Sequence, residues 1–134
     1  MHTITLHTKQ RNEMQDITQS IQNILEQQKP GSGIVVIYVP HTTAAVTINE
    51  GADADVQHDI LATLNQLIPQ HNKYLHSEGN SDAHIKASIL GASVTILFEN
   101  NKLQLGTWQK IFFYEADGPR TRNIYLSIIS ATHK

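Results

Sequence analysis

The sequence predicts a single compact α+β domain, largely antiparallel in its β-sheet or sheets and carrying two to three helices. Three observations predict it. The chain has 134 residues, the size of one domain. Helical spacing of apolar residues is confined to its first two thirds. The last third alternates apolar and polar residues between turn signals, as paired strands do.

The elements follow in order. Thr3 to Thr8 alternates around Ile4 and Leu6, the pattern of an edge or half-buried strand. Asp16 opens a helix whose stripe is Ile17, Ile21, Ile24 and Leu25; Asp16 with Gln19 is a cap-like pair, and Lys29-Pro30-Gly31 ends it. Gly33 to Val39 is apolar on both faces and reads as a central strand. A second strand, Ala44 to Asn49, follows Pro40. Asp53 caps a long helix to Ile68 with a stripe of Val56, Ile60, Leu64 and Leu67, and Pro69 stops it. Pro69 to Asn80 is polar and irregular. A short helix, Asp82 to Leu90, ends at Gly91. Val94, Ile96 and Phe98 alternate before an Asn100-Asn101 turn. Trp108 to Glu115 and Asn123 to Ser130 are further strands, divided by the Asp117-Gly118-Pro119 turn. The order is β-α-β-β-α-α-β-β-β-β, one domain over residues 1–134.

Composition excludes several functions. A net charge of −2 and a pI near 6.4 give no reason to expect nucleic acid or an anionic membrane as partner. Cysteine is absent, which removes disulfides, thiolate nucleophiles and cysteine zinc sites and fits a cytoplasmic protein. No signal-peptide pattern opens the chain, and its longest apolar run, Ile34 to Val39, is too short to span a bilayer.

Eight histidines are many for this length, and histidine is the commonest metal ligand. His2, His7, His58, His71 and His133 read as surface residues. The other three fall in polar segments where a scaffold needs none. His41-Thr42-Thr43 leads into Asn49-Glu50-Gly51, between a buried strand and a helix, where sites are commonly built. A turn and helix cap is the competing reading. Asp55 and Asp59 share a helix face, and Asp59 borders the apolar stripe, where it could orient a histidine; a solvated helix face competes. His76, Asn80 and His84 flank the start of the short helix, whose terminal N–H groups favour anions; two surface histidines compete. Arg120 and Arg122 are two apart, so on a strand both point to one face and suit phosphate or carboxylate recognition. Ion pairs with Glu115 or Asp117 compete.

Taken together, the segments His41-Thr42-Thr43-Ala44-Ala45-Val46-Thr47-Ile48-Asn49-Glu50, Asp55-Val56 with Asp59, Tyr74-x-His76, Asn80-x-Asp82-Ala83-His84-Ile85-Lys86-Ala87-Ser88, Gly106-Thr107-Trp108-Gln109 and Asp117-Gly118-Pro119-Arg120-x-Arg122 resemble the YjbQ-like family, also described as secondary thiamine-phosphate synthase. The match runs from about residue 38 to 122. The resemblance implies a homotrimer with a histidine-lined pocket near a subunit interface, able to hold a metal. It also implies a small phosphorylated substrate and an activity that joins hydroxymethylpyrimidine diphosphate to thiazole phosphate with release of pyrophosphate.

For that reaction, His41, His76 and His84 are the expected metal ligands. Glu50 or Asp59 would orient one of them or complete the shell, and Arg120 would neutralise phosphate. Thr42, Thr43, Asn49, Ser88, Trp108 and Arg122 are expected to bind substrate. Three imidazoles favour zinc, whereas diphosphate chemistry more often uses magnesium. A metal-dependent phosphoester hydrolase with Glu50 as base, and a non-enzymatic trimeric binding protein, are the alternatives.

Overall fold

A computed structural model describes residues 1–131. The elements are β1 (His2–His7), β2 (Glu13–Asp16), α1 (Thr18–Gln28), β3 (Gly33–Tyr38), β4 (Ala44–Glu50), α2 (Ala54–Leu67), α3 (Ser81–Leu90), β5 (Ser93–Glu99), β6 (Lys102–Leu103), β7 (Gln109–Glu115) and β8 (Thr121–Ser130). The expected order holds with one strand added, β2, and the fourth strand expected after the last helix, to which the sequence pattern assigns no residues, is β6. The helix expected from Asp16 starts at Thr18, with Ile17 at its N-cap. Asp16 acts from one step further out, its Oδ1 accepting the Thr18 N–H at 2.9 Å. The Asp53 cap forms as expected, on Asp55 N–H. Asn100 and Asn101, at φ 50° and 64°, make the tight turn that joins β5 to β6.

The strands form two antiparallel sheets. One has the order β1-β8-β3-β5-β6 and the other β2-β7-β4. β3, the apolar run, lies in the middle of the larger sheet. Its Val35 and Ile37 point inward with Ile96, Phe98, Ile124 and Leu126, and meet Val46, Ile111 and Phe113 of the smaller sheet. Ile17, Ile21 and Leu25 of the α1 region complete this core. The smaller sheet is covered on its other side as well. There Ala45 and Tyr114 pack with Ala83 of α3 and with Ile60, Leu61 and Leu64 of α2. That is why Ile111 to Glu115 are buried without alternation.

The layering positions the site. β3 ends at Tyr38, and the chain passes through Pro40 to His41 before entering the other sheet as β4. The start of α3 and the 116–120 turn arrive at the same end of the molecule.

Candidate functional site

A polar cavity of about 380 Å³ is lined by Pro40, His41, Thr42, Thr43, Glu78, Asn80, His84, Asp117, Arg120 and Arg122. His41, Thr42 and His84 also line an adjoining cavity of about 530 Å³ with Ala44, Ala87, Ser88, Gly91 and Ala92. Three separate sequence segments thus converge on one cleft: the β3–β4 connection, α3 with its approach, and the turn into β8.

The cleft walls hang on a buried carboxylate. Glu115 is fully buried and accepts Thr8 Oγ1–H at 2.8 Å, Arg122 Nε–H at 2.8 Å and Asp117 N–H at 3.0 Å. It also accepts from Arg122 Nη2, which in turn donates to Thr43 Oγ1 at 2.8 Å. Thr8 accepts the Arg120 N–H at 2.8 Å. Arg120 donates through Nε to the Asp117 carbonyl at 2.8 Å and through Nη2 to Asp117 Oδ2 at 3.0 Å, with its side chain half exposed to the cleft. Both guanidiniums are engaged through Nε and Nη2, but the Arg120 head group is half exposed and can be reached from the cleft, whereas Arg122 is buried and structural. The sequence-based pairing of the two arginines on one strand face does not hold, because β8 begins at Thr121 and leaves Arg120 in the turn.

A second set of charges seats α3. Arg11 reaches both oxygens of buried Asp82, at 2.8 and 3.0 Å. Burial pushes the Asp82 pKa up, but Arg11 and Lys86 outweigh it and hold the group below its ordinary value. Lys86 is 1% exposed and donates to Asn12 Oδ1 at 3.1 Å and to Asn65 Oδ1. Burial holds its pKa below the ordinary lysine value against the pull of Asp82. Neighbouring Tyr114 is pushed up to about 12, by burial first and then by Asp82. These contacts tie the 8–12 loop, α2 and α3 into one support behind the cleft.

The three expected histidine ligands take different positions. His76 and His84 lie edge to face with ring centroids 5.4 Å apart, and Glu78 Oε2 is 3.6 Å from His76 Nε2. Among the described residues no three His, Asp or Glu side chains are grouped to hold a metal ion, so this pair could supply only part of a coordination shell. His41 Nε2 instead accepts the Asn123 N–H at 3.0 Å, so joining the other two as a ligand through that atom would break a backbone hydrogen bond. Burial, then Arg122, holds the His41 pKa below its ordinary value.

Several expected site residues lie elsewhere. Glu50 is turned to the start of α2, where its Oε2 accepts the Asp53 N–H at 3.0 Å. Asn49 and Asp59 line a different cavity, beside Val56, Ile60 and Leu64, and the Asp59 side chain is 80% exposed. Gly51 allows close approach of the Lys110 side chain rather than of the cleft: an added Cβ would lie 2.0 Å from Lys110 Cγ. Trp108 is exposed, and its carbonyl accepts the Gly51 N–H at 2.9 Å. Thr43 is buried behind the wall, and Ser88 lines the adjoining cavity while its hydroxyl donates to the His84 carbonyl at 2.9 Å. Of the histidines read as surface, His7, His58 and His71 are exposed and His2 is half-buried; His133 lies outside the described residues. Thr8, Arg11 and Glu78 were not anticipated as site residues. Arg11 stands in a polar stretch without periodicity and pairs with a residue 71 positions away.

Comparison with known proteins identifies one family sharing this sequence and fold. A family model described as UPF0047 protein YjbQ-like matches residues 2–131. A UPF0047 protein of Methanocaldococcus jannaschii is 53% identical over 124 residues, covering 92% of this chain and 90% of the relative. UPF0047 protein YugU of Bacillus subtilis is 45% identical over 130 residues, covering 96% and 98%. The crystal structure of a YjbQ/UPF0047-family protein from Clostridium acetobutylicum superimposes with a TM-score of 0.94 at 46% identity, covering 96% of this chain and all of that one.

Proposed function

Since the chain belongs to the YjbQ-like UPF0047 family, we propose that its cleft binds a phosphorylated substrate and carries thiamine-phosphate synthase-type chemistry. In that reaction the nitrogen of a thiazole phosphate attacks the methylene carbon of a hydroxymethylpyrimidine diphosphate. The carbon–oxygen bond breaks and pyrophosphate leaves with the bonding electrons.

One observation supports this reading: His41, Thr42, His84 and Arg120 meet in a single polar cavity at the N-terminal end of α3. Negative charge builds on the departing diphosphate, and groups fixed beforehand stabilise it best. Arg120 supplies the accessible cation. His41, Thr42 and His84 supply hydrogen-bonding groups, and the helix terminus adds partial positive charge. Arg122, Thr43 and Glu115 hold the wall in place. A divalent ion held by His76 and His84 would neutralise phosphate charge, and two imidazoles suit zinc better than magnesium. Glu50, Asp59, Asn49 and Trp108 lie outside the cleft and take no part.

We place the protein in the cytoplasm and read it as a homotrimer. No helix among the described residues is long and apolar enough to cross a membrane. The outer face of the larger sheet exposes Tyr38, Leu97 and Ile129, which registered strands bring to one side. Covering such a patch is what association with further copies would do.

The test is to incubate the protein with both thiamine precursors and a divalent metal, and to measure thiamine phosphate. Product that His84→Ala abolishes, with the fold intact by circular dichroism, supports the reading. No product, or equal traces from both proteins, contradicts it. A phosphoester hydrolase is the second reading, favoured by Glu78, which lines the cavity with His84 and whose Oε2 lies 3.6 Å from His76 Nε2. It predicts release of inorganic phosphate without the thiazole substrate.

A further inference from the structure

His41 stands where a strand ladder stops. The last registered pair between β3 and β8 is Tyr38 with Tyr125. Two residues earlier in β8, the Asn123 N–H meets the His41 imidazole, donating to Nε2 at 3.0 Å. The ring thus replaces the strand carbonyl that β3 no longer supplies. Both ends of this contact are held. Asn123 follows Arg122, which is anchored on buried Glu115, and Arg122 also grips Thr43, two residues after His41.

A backbone N–H can only donate, so the nitrogen that receives it must carry the lone pair. The neutral ring therefore holds its proton on Nδ1. That nitrogen has no hydrogen-bond partner among the described residues, and the ring lines both parts of the cleft. Ligating a metal through Nδ1 would move the proton to Nε2 and set two N–H groups against each other. Accepting a proton at Nε2 would do the same.

We infer that His41 serves the cleft as a fixed Nδ1–H donor to a phosphate oxygen, its tautomer set by the Asn123 N–H, rather than as a metal ligand or a proton acceptor. This rests on the reading of the cleft as a phosphate site. It divides the histidines by role: His41 recognises the anion, and His76 with His84 remains the pair open to a cation.

The experiment uses protein labelled with ¹⁵N at histidine, long-range ¹H–¹⁵N spectra of the imidazoles, and titration with inorganic pyrophosphate. In the free protein His41 should show a protonated Nδ1 and an unprotonated Nε2. Pyrophosphate should shift Nδ1 most. Asparagine places an amide near the Nδ1 position and glutamine near Nε2. His41→Gln should therefore weaken pyrophosphate about tenfold or more, the size of a lost hydrogen bond to a charged group, and His41→Asn clearly less. A proton on Nε2 in the free protein would overturn the tautomer assignment. Pyrophosphate binding that leaves His41 unmoved, or equal losses in the two variants, would overturn the donor role alone. Failure of the wild type to bind pyrophosphate would overturn both this role and the phosphate reading.

Discussion

The Arg122 guanidinium, 4% exposed, donates to both carboxylate oxygens of fully buried Glu115. Neither residue touches the polar surface of the cleft as a free charge. Together they set the positions of Thr43, Asp117 and, through Thr8, Arg120. A buried pair of this kind specifies geometry more than it adds stability, because desolvation opposes the attraction.

Removing one partner should therefore be severe. Arg122→Ala leaves Glu115 buried without its main counter-charge and should cost about 3–5 kcal/mol, measured by urea unfolding. A Glu115→Gln/Arg122→Met double variant should lose less than the sum of the single changes, since the two groups interact directly. Additive losses would show that the pair is not coupled.

Gly118 is a second point where the turn is clamped. A Cβ there would lie 2.2 Å from the Gln10 carbonyl oxygen and 2.8 Å from Thr8 Oγ1. Gly118→Ala must displace the 8–12 loop or the turn, at about 1–3 kcal/mol, and should weaken pyrophosphate binding by moving Arg120. Unchanged stability and binding would contradict the clamp.

The loop that carries Arg11 depends on Glu13. Its Oε1 accepts the Lys9 and Gln10 N–H groups. Burial pushes its pKa up, but the two backbone donors prevail and hold it below the ordinary value. The unfolded chain then binds more protons than the native state, so stability falls with pH from the ordinary glutamate value, about 4.3, down through the lower folded value. Glu13→Gln should flatten the stability profile in that acid range. An unchanged acid limb in the variant would remove Glu13 as a contributor.

The sequence revealed most of this fold because its strongest patterns are local. The apolar Ile34–Val39 run, the Asp53 cap and the Gly91 stop each act within a few residues. β2 was not legible: Glu13-Met14-Gln15-Asp16 is polar, and only pairing with β7 makes it a strand. For the site, His41, His84 and Arg120 were legible as polar residues at element ends. Asp59 and Glu50 were misplaced for one physical reason. Spacing gives the face of a helix or the end of a strand, but packing decides which cavity that face meets. Asp59 meets the α2 groove and Glu50 the helix terminus. Glu115 was read as an ion-pair partner and proves to be the hub of the wall, whereas Thr8 lies 107 positions from it in sequence.

The most direct test of the cleft as a phosphate site is a calorimetric titration of inorganic pyrophosphate into the wild type and Arg120→Ala. Arg120 is exposed to the cleft and leaves the Glu115–Arg122 pair intact when truncated. We predict saturable binding by the wild type and a loss of about tenfold or more in the variant. Equal affinities, or no binding by either protein, would contradict the account.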